Sequence, residues 1–215
     1  MTTRLQLALD GTLERSLQVL AAARPYIDIA ELGTPLIYRE GISAAKQVRA
    51  LYPDLTILAD FKIMDAGEEE AAIAFEAGCN LVTVLAVTQD ATMQGALRSA
   101  QKYGKALVAD LMGVSDLVGR ARDLQAMGCQ YLAVHLAHDL QGAAASPVEP
   151  LQQLRQQLPQ AALAVAGGIK LPMLDDVLQL GPEIVIVGSA IAGSNDPAAA
   201  AREFHERIVA HDQRA

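Results

Sequence analysis

The sequence predicts an α/β protein built as a compact (β/α)8 TIM barrel, and three observations predict it. Short apolar runs recur eight times, at spacings of about 22 to 31 residues. Between successive runs lie stretches with apolar residues near a 3.6-residue period, the pattern of helices that cover a core with one face. The runs are continuously apolar rather than alternating, as strands are when helices cover both faces of a parallel sheet. A doubly wound open sheet is the competing architecture. The first run, however, leads into Asp10-Gly11-Thr12-Leu13 and not into a G-x-G-x-x-G turn.

In chain order, strand 5–9 is followed by helix 14–23, strand 27–32 by helix 41–51 and strand 56–59 by helix 68–77. Strand 81–85 precedes helix 91–103, strand 106–111 precedes helix 116–127, strand 131–136 precedes helix 148–158, and strand 162–166 precedes helix 171–180. Strand 184–187 leads to a last helical segment opening at Asp196-Pro197, where proline suits a first helical turn. Gly78, Gly104, Gly128 and Gly181 fall just after helical stretches, where a left-handed residue ends a helix. Residues 75–82 and 125–132 echo each other as equivalent helix-to-strand corners. The echo puts Cys79 and Cys129 at strand starts, the stability face of such a barrel, as small buried hydrophobes. With 215 residues against about 250 for a typical barrel, the chain is expected to form a single domain over 1–215 with short loops.

Composition excludes several functions. Lys plus Arg 17 against Asp plus Glu 25 leaves a net charge of −8, and aromatic residues make up only 4%. Such a chain lacks the cationic stripe and stacking rings of nucleic-acid binders, so no nucleic-acid partner is expected. The two cysteines form no CxxC pair and cannot make a metal cluster by themselves. Asp10 interrupts the N-terminal apolar run before it reaches signal-peptide length, and no run approaches 18 apolar residues. A cytoplasmic protein with no membrane partner is the expectation.

In a parallel barrel, polar groups at the carboxyl ends of strands converge on one mouth. Reading those ends gives Asp10 after strand one, Glu31 in strand two, Asp60 and Lys62 after strand three, Asp110 in strand five and His135 in strand six. Glu31, Asp60, Asp65 and Asp110 would then face one obvious cation, Lys62. Like charges about 4 Å apart repel by roughly 4 kcal/mol at an effective dielectric near 20. A divalent ion would relieve this, and an oxygen-only donor set favours Mg²⁺ before Mn²⁺ or Ca²⁺, with Glu31 and Asp60 as ligands. A strand-terminal lysine suits either an imine or charge stabilisation. Flanked by Asp60 and Asp65, Lys62 is expected to stay an ammonium that stabilises an oxyanion or delivers a proton. Gly167-Gly168 and Gly188-Ser189 close strands seven and eight, where barrels bind phosphate on backbone amides. His135 is placed to act as general acid or base. His138 is either a second mouth residue or a solvated loop residue, and His205 and His211 are left on the surface.

Asp60-Phe61-Lys62-Ile63-Met64-Asp65 is a D-x-K-x-x-D motif that resembles the signature of the orotidine 5′-phosphate decarboxylase suprafamily. Segments 7–10, 31–35, 82–85, 134–135, 164–169 and 185–191 are similar to the 3-hexulose-6-phosphate synthase family, and the likeness runs from about Leu5 to Arg207. That resemblance implies a lyase of formaldehyde assimilation, an aldolase that joins formaldehyde to D-ribulose 5-phosphate through a Mg²⁺-stabilised enediolate. It implies that Glu31 and Asp60 hold the metal, that Lys62 faces the enediolate and that His135 moves a proton, while Gly168, Gly188 and Ser189 take the phosphate. It further implies a homodimer with shared active sites, Asp65 reaching into the neighbouring subunit. The 3-keto-L-gulonate-6-phosphate decarboxylases share this machinery but lose CO₂. Asp110, Ala166 and Ser189 resemble the synthases, whereas His138 stands where the decarboxylases carry arginine. A barrel that binds a sugar phosphate without turnover is the reading from another functional class.

Overall fold

A computed structural model describes residues 2–140 and 146–214. Eight parallel strands close into a barrel in sequence order. They are β1 (Arg4–Leu9), β2 (Ile29–Leu32), β3 (Thr56–Ile63), β4 (Leu81–Leu85), β5 (Ala106–Asp110), β6 (Tyr131–His135), β7 (Leu163–Ala166) and β8 (Ile184–Val187). The helices are α1 (Leu13–Ala23), α2 (Thr34–Glu40), α3 (Ser43–Leu51), α4 (Gly67–Glu76), α5 (Asp90–Tyr103), α6 (Leu117–Met127), α7 (Val148–Gln157), α8 (Leu171–Leu178), α9 (Ser189–Ala192) and α10 (Pro197–Asp212). All eight expected strands are present, and β1 pairs with β8 to complete the closure.

Three features depart from the sequence expectation. Strand β3 runs on to Ile63, so Asp60 and Lys62 lie inside it rather than after it. The short helix α2, which the apolar pattern did not reveal, opens with a proline in its first turn and stops at Gly41. His205 and His211 are half-buried, not free on the surface, because α10 folds back beside α1. The His205 ring lies 6.2 Å from that of Tyr26, and His211 Nδ1 sits 3.6 Å from Asp212 Oδ1.

The two-residue period of strands sorts the core and builds the mouth. Ile29, Leu58, Leu81, Val108, Ala133, Ala164 and Ile184 form one small cluster with a member from each of seven strands and none from a helix. Such a cluster must fill the barrel interior. Their neighbours Ala30, Ile57, Val82, Leu107, Leu132, Leu163 and Val185 pack with the helices in the larger core instead. Counting two residues on from the inner cluster reaches Glu31, Asp60, Thr83, Asp110, His135 and Ala166, which therefore share the inward face at the carboxyl ends. The polar site stands directly on an apolar plug, which keeps water from approaching it from below.

Helix ends follow the glycine pattern: Gly78, Gly104, Gly128 and Gly181 have φ values of 98°, 63°, 97° and 61°. Cys79 and Cys129 are free and buried just before β4 and β6, and burial pushes their thiols up to about 12 and about 11. Helices α4 and α5 meet closely at Gly67, where a Cβ would stand 2.0 Å from the Thr92 carbonyl oxygen. Gly67→Ala is therefore expected to cost about 1–3 kcal/mol through overpacking. In a domain of this size each kcal/mol lowers Tm by about 2–4 °C, which thermal unfolding would read directly.

Candidate active site

The strand ends assemble a continuous line of charge across the mouth. Lys62 Nζ lies 2.5 Å from Asp60 Oδ2 and 3.8 Å from Asp110 Oδ2. The same Asp110 oxygen is 2.8 Å from His135 Nδ1, while the other accepts the Met112 N–H at 3.0 Å. Asp60 is buried, and its remaining contacts are hydroxyls: Thr83 Oγ1 donates to Oδ1 at 2.7 Å, and Thr34 Oγ1 lies 2.8 Å from Oδ2. Glu31, also buried, accepts a 2.6 Å hydrogen bond from Gln6 Nε2. Gln6, Thr34 and Thr83 carry no charge and do not interrupt an apolar run conspicuously. The two-residue period alone points to Gln6 and Thr83.

Electrostatics divides these groups. Burial alone would raise the Asp60 carboxyl, but the ammonium of Lys62 and the hydroxyls of Thr83 and Thr34 outweigh it and hold it below the ordinary range. Burial likewise opposes the charge on Lys62, yet Asp60, then Asp110 and Glu31, raise its pKa above the ordinary lysine value. Lys62 is an ammonium. Glu31 lacks an adequate cation of its own: burial, reinforced by the Asp60 charge, pushes its carboxyl up to about 8. Asp10, at the exposed end of β1, is also raised, first by burial and then by Asp60. Arg39 donates to the Asp10 carbonyl at 2.7 Å, which ties α2 to this corner of the mouth.

The backbone that presents Lys62 is irregular for a reason visible in the pairing. Ala59 pairs with Val82 and Ile63 with Val84, so β3 carries extra residues in a bulge that contains Asp60, Phe61 and Lys62. Lys62 has φ 48° and Ala66 φ 49°, the left-handed non-glycine positions among the described residues. Each costs on the order of 1–3 kcal/mol unless neighbours enforce it. Thr83 enforces the first, accepting the Lys62 N–H on Oγ1 at 2.9 Å while it donates to Asp60.

Asp65 is not part of this line. It is exposed, and its Oδ1 accepts from the neighbouring Ala66 N–H at 2.7 Å. The second carboxylate beside Lys62 is Asp110, not Asp65 as the sequence suggested; the bulge and the left-handed turn carry Asp65 outward. His138 lies in a single turn after β6 with its side chain 94% exposed and Nδ1 3.9 Å from Asp139 Oδ1. It is a rim residue. Across the mouth, Gly167 and Gly168 have φ 100° and 71°, and a Cβ on Gly167 would stand 2.3 Å from the Leu136 carbonyl oxygen. Gly188 follows β8, and Ser189 opens α9, exposed to the mouth side.

Among the described residues no group of three or more His, Cys, Asp or Glu side chains is arranged to hold a metal. The buried pair Glu31 and Asp60 nevertheless fits a hard divalent ion that takes one or two carboxylates and fills its other positions with water and substrate oxygens, the habit of Mg²⁺. The high pKa of Glu31 is the structural sign of that fit, since it marks a buried carboxylate short of positive charge.

Residues 3–204 match the Orotidine 5'-phosphate decarboxylase / HUMPS family. The chain is 40% identical over 206 residues to the 3-hexulose-6-phosphate synthase of Bacillus subtilis (strain 168), covering 95% of this chain and 98% of that one. The fold superposes on the crystal structure of 3-hexulose-6-phosphate synthase from Salmonella typhimurium with a TM-score of 0.94 at 41% identity, covering 97% of this chain and all (100%) of that one. The 3-keto-L-gulonate-6-phosphate decarboxylase from Vibrio cholerae is more distant, with a TM-score of 0.81 at 26% identity over 97% of this chain and 99% of that one.

Proposed function

The chain belongs to the orotidine 5′-phosphate decarboxylase / HUMPS family, and from that premise we propose that it is a carbon–carbon lyase that reversibly joins formaldehyde to D-ribulose 5-phosphate, giving D-arabino-3-hexulose 6-phosphate. One observation carries the reading: Asp60, Lys62, Asp110 and His135 form a connected line of acid, cation, acid and base across the mouth. The similarity to proteins named as synthases at 40% and 41% identity supports this reading over the decarboxylase one, whose relative stands at 26%.

The residues divide the work by their chemistry. Glu31 and Asp60 would hold Mg²⁺, with Mn²⁺ a substitute, and the bound ion supplies positive charge beside the substrate oxygens. Asp110 fixes His135 through Nδ1, which leaves Nε2 to remove the C1 proton of the pentulose phosphate. The electron pair released at C1 delocalises onto the carbonyl oxygen as an enediolate, faced by the Lys62 ammonium. C1 then forms the new bond to the formaldehyde carbon, and the formaldehyde oxygen takes up a proton; the reverse reaction runs the same steps backwards. Backbone amides at Gly167, Gly168, Gly188 and Ser189 would take the phosphate, with the neutral ends of β7 and β8 leaving room for the sugar. Asp10 adds a further carboxylate at the rim, and Asp65 is donated to the site of a second subunit in a homodimer.

Consumption of formaldehyde with ribulose 5-phosphate and Mg²⁺ is the expected result, measured as loss of free formaldehyde. A folded protein that consumes none, but releases CO₂ from 3-keto-L-gulonate 6-phosphate, would transfer the assignment to the decarboxylase. Binding of sugar phosphate without either turnover would leave a silent barrel. No described helix is long and apolar enough to cross a membrane, and the two free, buried thiols support the proposal of a reducing, cytoplasmic setting.

A further inference from the structure

We infer that Thr88 and Arg120 are positioning residues, a strap that fixes Asp65 for use by the neighbouring subunit rather than by their own. The inference rests on the reading that Asp65 acts across a subunit interface.

The turn between β3 and α4 needs an external anchor. It is bounded by two left-handed non-glycine residues, Lys62 and Ala66, and Met64 at its crest is 52% exposed. The Asp65 carboxylate accepts from the N–H of the next residue in the chain, a bond that cannot hold the turn against the rest of the molecule. The anchor comes from the loop after β4. Thr88 is buried, and its Oγ1 donates at 2.6 Å to the carbonyl of Met64, the peptide group immediately before Asp65.

Thr88 is in turn held from α6. Arg120 directs Nε to the Ala86 carbonyl at 2.7 Å, Nη2 to the Thr88 carbonyl at 3.0 Å and Nη1 to Asp90 Oδ1 at 2.5 Å. Its side chain is only 17% exposed although it carries a full charge. All three branches of the guanidinium serve the five residues 86–90, a use that the planar fork permits and an ammonium does not. The Ala86 N–H donates to the Asp110 carbonyl at 2.8 Å, so the same loop is tied at one end to the charge line and at the other to the Asp65 turn. Thr83 clamps the Lys62 end of the turn and Thr88 the Asp65 end. The two threonines therefore serve different sites: Lys62 works in its own subunit, Asp65 in the other.

A plain structural staple and a positioning strap separate in mixed dimers. Thr88→Val keeps the branched shape but removes the donor, and its homodimer is expected to lose about 10²-fold in kcat, the scale of a 1 Å misplacement. Thr88→Ser should regain most of that loss. Arg120→Lys should repeat the effect, and it serves as the second variant should Thr88→Val fold poorly, as judged by dimer mass and Tm. When Thr88→Val subunits exchange with inactive Lys62→Ala subunits, each hybrid contains one site with an intact Lys62 and a correctly held Asp65. Random pairing then restores about a quarter of wild-type activity. Asp65→Asn mixed with Lys62→Ala is the control and should recover equally. Recovery of the control without recovery of Thr88→Val would show that Thr88 acts within its own subunit and would overturn the proposal, as would a Thr88→Val homodimer of normal turnover. Failure of the control itself, with exchange confirmed by mass, would instead overturn the shared-site reading and the strap with it.

Discussion

Lys62→Ala is expected to lower turnover by about 10²-fold or more while the barrel stays closed. The magnitude follows from what the ammonium faces. It sits 2.5 Å from Asp60 and 3.8 Å from Asp110, so it is the cation that links Asp60 to the Asp110–His135 pair. Removing it deletes the charge proposed to meet the developing oxyanion and leaves two carboxylates facing each other. The backbone does not confound the reading. Lys62 already holds φ 48° as an L-residue, and alanine occupies the same conformation at similar cost, so the loss reports the side chain. Because Asp60, Asp110 and Glu31 raise its pKa, Lys62 has no appreciable free-amine fraction at neutral pH and is unsuited to imine formation. Borohydride treatment with substrate should therefore leave it unmodified. Near-normal turnover of the alanine variant would remove Lys62 from the mechanism, and a trapped adduct would replace the enediolate route with an imine.

The legibility of this protein in its sequence was uneven for physical reasons. Strands buried on both faces write themselves as uninterrupted apolar runs, and charged residues at their ends stand out against that background; Glu31, Asp110 and His135 were visible for this reason. The bulge in β3 was not visible, since register depends on the partner strand: Ala59 opposite Val82 and Ile63 opposite Val84 cannot be read from residues 56–63 alone. That hidden irregularity explains why Asp65, adjacent to the charge line in sequence, leaves it in space while the remote Asp110 joins it. Uncharged helpers were equally silent. Thr83, Thr88 and Gln6 look like ordinary strand and loop residues, and only the inward period at β1 and β4 marks two of them. Helix α2 escaped because its seven residues are too few for a period to emerge.

Removal of divalent metal should abolish turnover and expose a pH dependence of stability that originates at Glu31. In the unfolded chain Glu31 ionises near 4.5, whereas in the barrel burial and Asp60 push it up to about 8. The folded state therefore holds a proton that the unfolded state has released between those two values, and metal-free stability falls as pH rises through that window. Each pH unit in the window is worth about 1.4 kcal/mol, so the loss is on the order of a few kcal/mol. Asp60 and Lys62 do not interfere, since one is lowered from an ordinary carboxyl and the other raised from an ordinary lysine, whereas Asp10, raised by burial and then by Asp60, adds a loss of the same sign. A carboxylate must be deprotonated to bind a metal, so Mg²⁺ held at Glu31 would have to displace its proton. Added Mg²⁺ should then raise Tm more at about pH 8 than at about pH 5.5, and Glu31→Gln should both reduce the slope of the metal-free profile and remove the Mg²⁺ response. An equal Mg²⁺ response at both pH values, or one that survives Glu31→Gln, would take Glu31 out of the metal site and leave its burial beside Asp60 without a chemical purpose.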